Sequence, residues 1–324
     1  MEGTLSSRIL QPGRLPARTI LPMEPSSGRA KDHNEVVGID IRWLFESPLV
    51  RLNRWRCRET VTGLTGERHQ LWSVIGFVHG GAYELRSPRG NALVDPLQVA
   101  FLNPFEAYQT RHPCGCGDYG SSLIVREDVL REMVSSYRPD SGESAGGPFQ
   151  RPAGPCTNRA FLLHRSLLNR LENGEGIDAL QAEETALEVA SEIVVAGFAA
   201  GPHTPRGTSS QRRDLAEDLR RLLGRTFREP VHLAGLSRQL ETSPFHLCRV
   251  FRETTGLAIH RYLIRLRLRA SVEALGRGEK DLSGLAFDLG FSSHSHFTES
   301  FRREFGVPPS RFRRSRGDAV RAGF

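Results

Sequence analysis

The sequence predicts a two-domain α+β protein in which a β-rich amino-terminal domain and two helices precede an all-α carboxyl-terminal domain. Its 324 residues are enough for two separate hydrophobic cores. Short runs of β-branched and aromatic residues, divided by turn signals, fill residues 38–134. From residue 212 to residue 314 the apolar residues instead recur at helical spacing. This change of period divides the chain into two domains.

The composition excludes several classes of protein. With 38% hydrophobic and 25% charged residues, the chain is not intrinsically disordered throughout. It contains no apolar run of about 18 residues, and residues 1–27 lack the pattern of a signal peptide. Its 5 cysteines are an odd number and too few for a disulfide framework. We therefore expect a cytoplasmic protein that neither spans a membrane nor is secreted.

The positive charge is concentrated in the carboxyl-terminal third. From Ser209 to Phe324, 22 Arg and Lys face 13 Asp and Glu, a net charge of +9, whereas the rest of the chain carries −2. Nearly all the bases are arginines, whose planar guanidinium suits phosphate binding. This asymmetry predicts a polyanionic partner for the carboxyl-terminal third, with RNA and membrane surfaces as alternatives to DNA.

The amino-terminal domain is predicted at residues 35–200. Residues 1–34 are rich in Pro, Gly, Ser and Arg without any period, which indicates a disordered tail. The spacing of the following segments favours a small β-sandwich or β-barrel. The predicted strands include Asp40–Phe45, Leu49–Cys57, Leu71–Val78, Ala82–Arg86 and Gln98–Leu102.

Two helices are predicted after a Gly/Pro/Ser-rich loop at Pro139–Thr157. They cover Asn158–Glu172 and Ile177–Ala199. The second helix carries an apolar stripe that could form a dimer seam or pack on the β-domain: Leu187, Ala190, Val194 and Phe198. Residues 201–211 read GPHTPRGTSSQ and are predicted to be a linker.

The carboxyl-terminal domain contains an internal repeat. Leu233–Gly256 aligns with Leu282–Gly306. Leu233, Gly235, Leu236 and Leu240 recur 49 residues later, whereas His246, Phe251, Arg252 and Gly256 recur 50 residues later. The second copy therefore has one extra residue in its turn.

Each copy has the pattern of a helix-turn-helix unit, with a short apolar helix, a turn and a second helix. In the first copy Ser243 suits the N-cap position and Pro244 the first helical position. Helical spacing predicts that one face of each second helix packs in the core. In the first copy this face carries Leu247, Val250, Phe251 and Thr254, and in the second copy it carries Phe297, Phe301 and Phe305. The same spacing turns another face of each second helix outward.

A helix that presents a polar face in this way can lie in the major groove of DNA. Arg249 is the best candidate for a guanine contact, because its planar fork can reach O6 and N7 together. Arg252, Arg302 and Arg303 are predicted to contact phosphates. Between the copies, Leu257–Gly276 forms a predicted helix of roughly 30 Å, close to the 34 Å or so between successive major-groove segments.

Residues 212–314 resemble the DNA-binding domain of the AraC family of bacterial transcription regulators. The resemblance rests on LETSPFHLCRVFRETTG at 240–256, HRYLIRLRLRA at 260–270 and DLGFSSHSHFTESFRREFGVPPS at 288–310. It implies seven helices with two helix-turn-helix units that bind double-stranded promoter DNA and contact RNA polymerase. Residues 315–324 would be a tail.

The resemblance also implies which residues contact DNA. The family's outward positions correspond here to Phe245, Cys248, Arg249, His294, Ser295, Thr298 and Glu299. Together with Arg252, Arg302 and Arg303, these make up the predicted DNA-binding set. Glu299 departs from the basic residue common at its position, and Cys248 is a weak hydrogen-bonding group. We therefore expect the second unit to contribute less to binding.

The amino-terminal domain resembles the cupin-like β-barrel that many AraC-family regulators carry. The matching segments are Val94-Asp95-Pro96, Phe101-Leu102-Asn103-Pro104 and the HPxxxGD segment from His112 to Asp118. The resemblance implies a sensory or dimerisation role. We expect a small-molecule effector of unknown identity and a possible homodimer. Candidate lining residues at the mouth of a barrel are Trp72, Phe77, Tyr83 and Phe101.

Two other functions stay open as alternatives. A cupin-type metalloenzyme is disfavoured because His69, His79 and His112 are widely separated, and we predict neither catalytic residues nor a cofactor. A thiol or metal sensor would draw on His112 and on the cysteines Cys57, Cys114, Cys116 and Cys156. The spacing of Cys114 and Cys116 is not that of a common zinc module, so we expect ordinary loop residues and no metal.

Two further histidine hypotheses concern local structure. His112 and Asp118 are expected to hold their turn through local hydrogen bonds. His294 and His296 lie two residues apart on a predicted helix and so point to different sides, which favours simple polar roles over metal binding.

Overall fold

A computed structural model describes six stretches of the chain. They are residues 38–58, 63–112, 117–137, 147–174, 176–199 and 210–314. Both predicted tails, at 1–34 and 315–324, lie outside these described residues, as do Cys114, Cys116 and positions 201–209 of the predicted linker.

The amino-terminal half is built on antiparallel strands. They are β1 (Ile39–Glu46), β2 (Val50–Cys57), β3 (Val74–Gly80), β4 (Tyr83–Ser87), β5 (Gly90–Val94), β6 (Gln98–Leu102), β7 (Gln109–Arg111), β8 (Asp118–Val125) and β9 (Ala153–Pro155). One sheet has the order β1-β2-β8-β3-β6-β9, and the other has the order β5-β4-β7. Within the described stretches the strands therefore form two open sheets and do not close into a barrel.

Three helices accompany the sheets: α1 (Glu127–Tyr137), α2 (Asn158–Asn173) and α3 (Ala179–Ala199). The helices α2 and α3 confirm the predicted pair. The helix α1 corrects the expectation that the β-pattern continues to residue 134. Its first turn carries Glu127 and Asp128, which the helix dipole favours, and Leu130 is its buried residue.

Seven helices follow, as the resemblance implies. They are α4 (Ser210–Thr226), α5 (Leu233–Gln239), α6 (Pro244–Thr255), α7 (Ile259–Gly276), α8 (Leu282–Asp288), α9 (His294–Phe305) and α10 (Pro309–Arg314). Because α4 begins at Ser210, the last two residues of the predicted linker are helical. The repeat appears as α5-α6 and α8-α9, with four residues between the first pair and five between the second.

The hydrophobic cores join the two halves of the chain. One core includes Phe77 of β3, Phe161 of α2 and Phe301 of α9. A second core groups α4, α5, α6 and α7 through residues such as Leu219, Leu247 and Tyr262. The helix α7 contributes to both cores, so it is the structural centre of the carboxyl-terminal half. None of the helices in the described ranges is long and apolar enough to cross a membrane.

A candidate nucleic-acid interface and the contacts behind it

Local capping signals set the ends of α6. The backbone N–H of His246 donates to the Ser243 side-chain oxygen at 3.2 Å, and Pro244 follows in the first turn. At the other end Gly256 adopts a left-handed conformation with φ 73°, and its N–H donates to the carbonyl of Arg252. The predicted N-cap is therefore present, and the helix has a defined start and end.

The helix α9 repeats this arrangement. The N–H of His296 donates to the Ser293 side-chain oxygen at 3.1 Å. Gly306 closes the helix with φ 76°, and its N–H donates to Arg302 at 2.8 Å. Both units thus use a Ser cap and a Gly stop at equivalent positions, although the extra residue makes the second turn longer.

The two faces predicted for α6 are present. Leu247, Val250 and Phe251 are buried, whereas Thr254 is half-buried. On the outward face Phe245 is 78% exposed. Cys248, Arg249 and Arg252 are also exposed, so all four outward residues are accessible to a partner.

The same division holds for α9. Phe297, Phe301 and Phe305 are buried in the core, as predicted. The predicted partner-facing residues His294, Ser295, Glu299, Arg302 and Arg303 are exposed, and Thr298 is half-buried. DNA contact by each member of the set stays a prediction, but none of them is hidden inside the molecule.

The two histidines of α9 have separate environments. His294 lies 3.4 Å from the hydroxyl of Thr298, and His296 lies 3.2 Å from the hydroxyl of Ser292. The ring of His296 also meets Phe291 edge-on. These contacts favour the polar roles predicted for both residues.

Three outward arginines keep their guanidinium groups available. Across the described residues, the side chains of Arg249, Arg252 and Arg302 form no hydrogen bond or ion pair with the protein. An arginine that is not paired within its own chain loses no internal contact when it binds a base edge or a phosphate. These three guanidinium groups therefore have no competing partner among the described residues.

Other arginines of the same domain serve the structure instead. Arg267 of α7 is buried and donates to the carbonyls of Phe227, Gly290 and Glu229, at 2.6, 2.6 and 3.0 Å. It thereby holds the turn of the second unit against the segment after α4. The guanidinium of Arg269 lies 3.8 Å from the centroid of the Phe161 ring. Sequence reasoning missed both roles, although both residues alternate with apolar positions in HRYLIRLRLRA.

One buried polar contact joins the amino-terminal half to α4 and α7. A guanidinium nitrogen of Arg220 donates to Asp95 at 2.7 Å and to the carbonyl of Leu93 at 2.9 Å. The hydroxyl of Tyr262 accepts from Arg220 and donates to the same carboxylate of Asp95. We call Asp95, Arg220 and Tyr262 the aspartate junction. Through this junction the Val94-Asp95-Pro96 segment has a structural role, because it binds α4 and α7, which pack beside the first helix-turn-helix unit.

A second buried contact joins β3, β8 and α2 to α7. Glu273 lies 2.7 Å from a ring nitrogen of His79 and 2.7 Å from Nε of Arg165. The other nitrogen of His79 lies 2.7 Å from the hydroxyl of Ser121, which lies 2.6 Å from Nε2 of His164. We call these five residues the histidine junction. If both rings are neutral, each group donates to the next, from His164 through Ser121 and His79 to Glu273.

Burial and charge set the protonation of this junction. Burial lowers the pKa of His79 to about 4, against the opposing effect of Glu273. Burial also lowers the pKa of His164 well below its usual value. Burial alone would raise the pKa of Glu273, but Arg165 and His79 outweigh it and lower that pKa to about 2. At neutral pH the junction therefore holds two neutral rings and one carboxylate.

His112 and Asp118, the first and last residues of the HPxxxGD segment, form a third buried cluster with Cys57, where β2 ends and β8 begins. Nδ1 of His112 lies 2.7 Å from Asp118, and Nε2 lies 3.5 Å from the sulfur of Cys57. Burial opposes protonation of the ring, but Asp118 and Cys57 outweigh it and raise the pKa of His112 to about 10. The expected local contact between His112 and Asp118 is present. Cys156 lies elsewhere, beside Arg269.

The predicted ligand-lining residues do not line an open cavity found among the described residues. Phe77 stacks on His164, and Phe101 stacks on Phe149, so both fill cores. An open cavity of about 520 Å³ instead lies between the smaller sheet and the first helix-turn-helix unit. Its lining residues are Glu84, Arg111, Asp218, Arg221, Leu222, Arg225, Gln239 and Leu240.

Comparison with known proteins agrees with the geometry of the carboxyl-terminal half. Residues 236–315 match the model of a helix-turn-helix domain. The HTH-type transcriptional activator RhaS of Escherichia coli is 36% identical over 90 residues, which are 28% of this chain and 32% of that protein. The Msm operon regulatory protein of Streptococcus mutans is 22% identical over 107 residues, 33% of this chain and 38% of that protein.

The curated relatives thus share only about a third of their length with this chain. ToxT of Vibrio cholerae O395, a solved structure, aligns over 82% of this chain and 96% of its own, with 14% identity and a TM-score of 0.31. The evidence for relationship is therefore confined to the carboxyl-terminal domain. Residues 236–315 of that domain match a helix-turn-helix domain, and the domain is similar to part of a known transcriptional activator.

Proposed function

We propose that this chain is a sequence-specific DNA-binding transcription regulator. The observation that carries the proposal is the pair of capped helices α6 and α9, each with its aromatic or aliphatic face buried and its polar face exposed. The basic surplus of the carboxyl-terminal third supports a polyanionic partner. The similarity of residues 236–315 to known activators favours DNA over RNA or a membrane surface.

Different residues have different roles in this proposal. Arg249 contacts a guanine through its planar fork, because it lies in the first turns of α6, where a recognition helix meets base edges. Arg252, Arg302 and Arg303 lie further along their helices and contact phosphates. The remaining members of the predicted set form the rest of the reading surface. Glu299 accepts a hydrogen bond from a cytosine amine if it reaches a base.

The amino-terminal half acts as the regulatory part of the chain. An effector that binds one arrangement of the two halves more tightly than another shifts the balance between them. The open cavity touches both β4 and α4, so a ligand there would contact both halves at once. A cupin-like ancestry, a homodimer and a contact with RNA polymerase belong to this proposal. The known relatives are regulators, which favours this function over an enzyme.

Fluorescence anisotropy of the full-length chain on promoter DNA tests the proposal. We expect the chain to bind selected duplexes far more tightly than scrambled ones. Arg249→Ala should weaken specific binding by about 1–3 kcal/mol and relax the preference at one base pair. Arg86→Ala is the matched control, because it removes an exposed arginine from β4. Equal affinity for selected and scrambled duplexes would overturn the proposal.

A further inference from the structure

The cluster of Cys57, His112 and Asp118 has no part in the proposed function, yet it is organised like a metal site. One donor atom from each residue lies within 4.8 Å of the other two. All three residues are buried, with 4% of Cys57 and 5% of His112 exposed. The thiol of Cys57 is free rather than joined in a disulfide.

Strand pairing places two of these three groups together. Cys57 ends β2, Asp118 begins β8, and the two residues are directly paired across the antiparallel ladder. Paired residues project to the same face of a sheet, about 4.5–5.5 Å apart at Cβ. His112 follows the last residue of β7, a strand of the other sheet. The cluster thus lies where the two sheets meet.

The separation of Cys57 and His112 fits two ligands of one tetrahedral zinc ion. Zinc lies about 2.3 Å from a cysteine sulfur and about 2.0–2.1 Å from a histidine nitrogen. At a tetrahedral angle of about 109°, these lengths separate the two ligand atoms by roughly 3.5–3.6 Å. The observed distance from the sulfur to Nε2 is 3.5 Å.

Asp118 supplies the outer contact that zinc-binding histidines use. Its carboxylate lies 2.7 Å from Nδ1, on the side of the ring opposite Cys57. Such a carboxylate fixes the orientation of the ring, and zinc displaces the proton that Nε2 would otherwise carry. The backbone at Gly81 packs closely against Asp118, because a Cβ at Gly81 would approach the Cβ of Asp118 to 2.8 Å.

A cysteine, a histidine and an aspartate in series also resemble a nucleophilic triad. A nucleophile needs room for its substrate, whereas Cys57 and His112 are almost completely buried. Neither residue lines the open cavity beside α4. Such buried donors suit a small ion better than an organic substrate.

We propose that Cys57 and His112 bind a zinc ion and that Asp118 positions the histidine. The mixed sulfur and nitrogen donors suit a borderline-soft ion in a tetrahedral site. Water completes the coordination. Zinc bound here would tie β2 and β8 of the larger sheet to β7 of the smaller one. This site lies in the amino-terminal half and goes beyond the proposed DNA-binding function.

Zinc titration of the full-length, metal-stripped chain tests the proposal. We expect elemental mass spectrometry to find about one zinc per chain, and we expect zinc to bind tightly at neutral pH. Cys57→Ala and His112→Ala should each lower zinc affinity at least 100-fold. Asp118→Asn, which keeps the shape of the side chain, should lower it about 10–100-fold. Cys156→Ala is the matched control, because it removes a buried thiol outside the cluster and should leave zinc affinity unchanged.

A second measurement locates the metal even if a variant fails to fold. Zinc should slow the alkylation of Cys57 in the unmodified chain, as followed by peptide mass spectrometry. Cobalt bound in place of zinc should give a thiolate charge-transfer band. Failure to bind zinc would overturn the proposal. So would affinity unchanged in folded Cys57→Ala and His112→Ala, or rapid alkylation of Cys57 at saturating zinc.

Discussion

At the scale of single residues, the domain divides its arginines between structure and surface. Arg267 is held by three backbone carbonyls, whereas Arg249 and Arg302 form no side-chain hydrogen bond or ion pair among the described residues. An arginine already committed to internal carbonyls is not available to DNA. The unpaired arginines therefore define the charge that a nucleic acid would meet.

Arg302→Ala should weaken binding to all DNA sequences alike. Arg302 is exposed in the last turn of α9, a position for phosphate contact rather than base reading. Loss of one phosphate contact should lower the slope of log affinity against log salt by about 1. Anisotropy titrations across a salt series measure this slope, with Arg86→Ala as control. A loss confined to one sequence would contradict the phosphate role.

The histidine junction predicts a dependence of stability on acid. Folded His79 has a pKa of about 4 against 6.5 for a free histidine, so protons favour the unfolded state as the pH falls from 6.5 towards 4. Folded Glu273 has a pKa of about 2 against 4.5, so its stabilisation is lost between pH 4.5 and 2. Stability should therefore decrease as the pH falls from neutral. Arg54 and Arg165 also act on the His79 ring, and His79 in turn acts on His164.

Urea unfolding at roughly pH 7.0, 5.5 and 4.0 tests this dependence, because these values span the titration of His79. His79→Gln should flatten the curve between pH 6.5 and 4, because the titrating ring is gone. His69→Gln is the matched control, since that histidine is 54% exposed on its side chain. An identical pH dependence in His79→Gln and the unaltered chain would contradict the assignment.

At the scale of elements, the repeat depends on local capping. Ser293→Ala should lower the free energy of unfolding by about 0.5–2 kcal/mol, because the N–H of His296 loses its acceptor. Thermal and urea unfolding measure the loss. Ser283→Ala is the control, because Ser283 is an exposed serine inside α8 rather than a cap. Equal stability of the two variants would show that the Ser293 cap contributes nothing measurable.

Elements with local signals could be predicted from the sequence, whereas those set by distant pairing could not. The Ser caps, the Gly stops and the apolar stripes of α6 and α9 all lie within a few residues of the feature they determine. The strand β8 lies in the predicted β-rich region, but its pairing with β2 and β3, which lie far away in the chain, was not predicted. The helix α1 did carry a signal, in its acidic first turn.

At the scale of the whole molecule, buried polar contacts connect the two halves. Asp95 and Tyr262 are 167 positions apart, and His79 and Glu273 are 194 apart. No sequence pattern marks such pairs, because their partners meet only when the halves pack. The outward faces of α6 and α9 could be predicted, but the buried contacts between the two halves could not. The donor cluster of Cys57, His112 and Asp118 likewise depends on strand pairing.

Breaking the aspartate junction should destabilise the whole chain. Arg220→Met keeps the volume of the side chain but leaves Asp95 buried without its cation, which should cost about 3–5 kcal/mol. Urea unfolding at neutral pH measures the loss. Adding Asp95→Asn to Arg220→Met should recover part of it, because the unpaired charge is then removed. A loss below about 1 kcal/mol would contradict a structural role for the junction.

The central claim is that one chain reads two successive segments of major groove through α6 and α9. Selection of bound sites from random duplexes, followed by sequencing, tests this claim most directly. We expect two preferred blocks whose centres lie about 10–10.5 base pairs apart. Arg249→Ala should degrade one block, and His294→Ala should degrade the other. A single block, or one block degraded by both substitutions, would contradict the account.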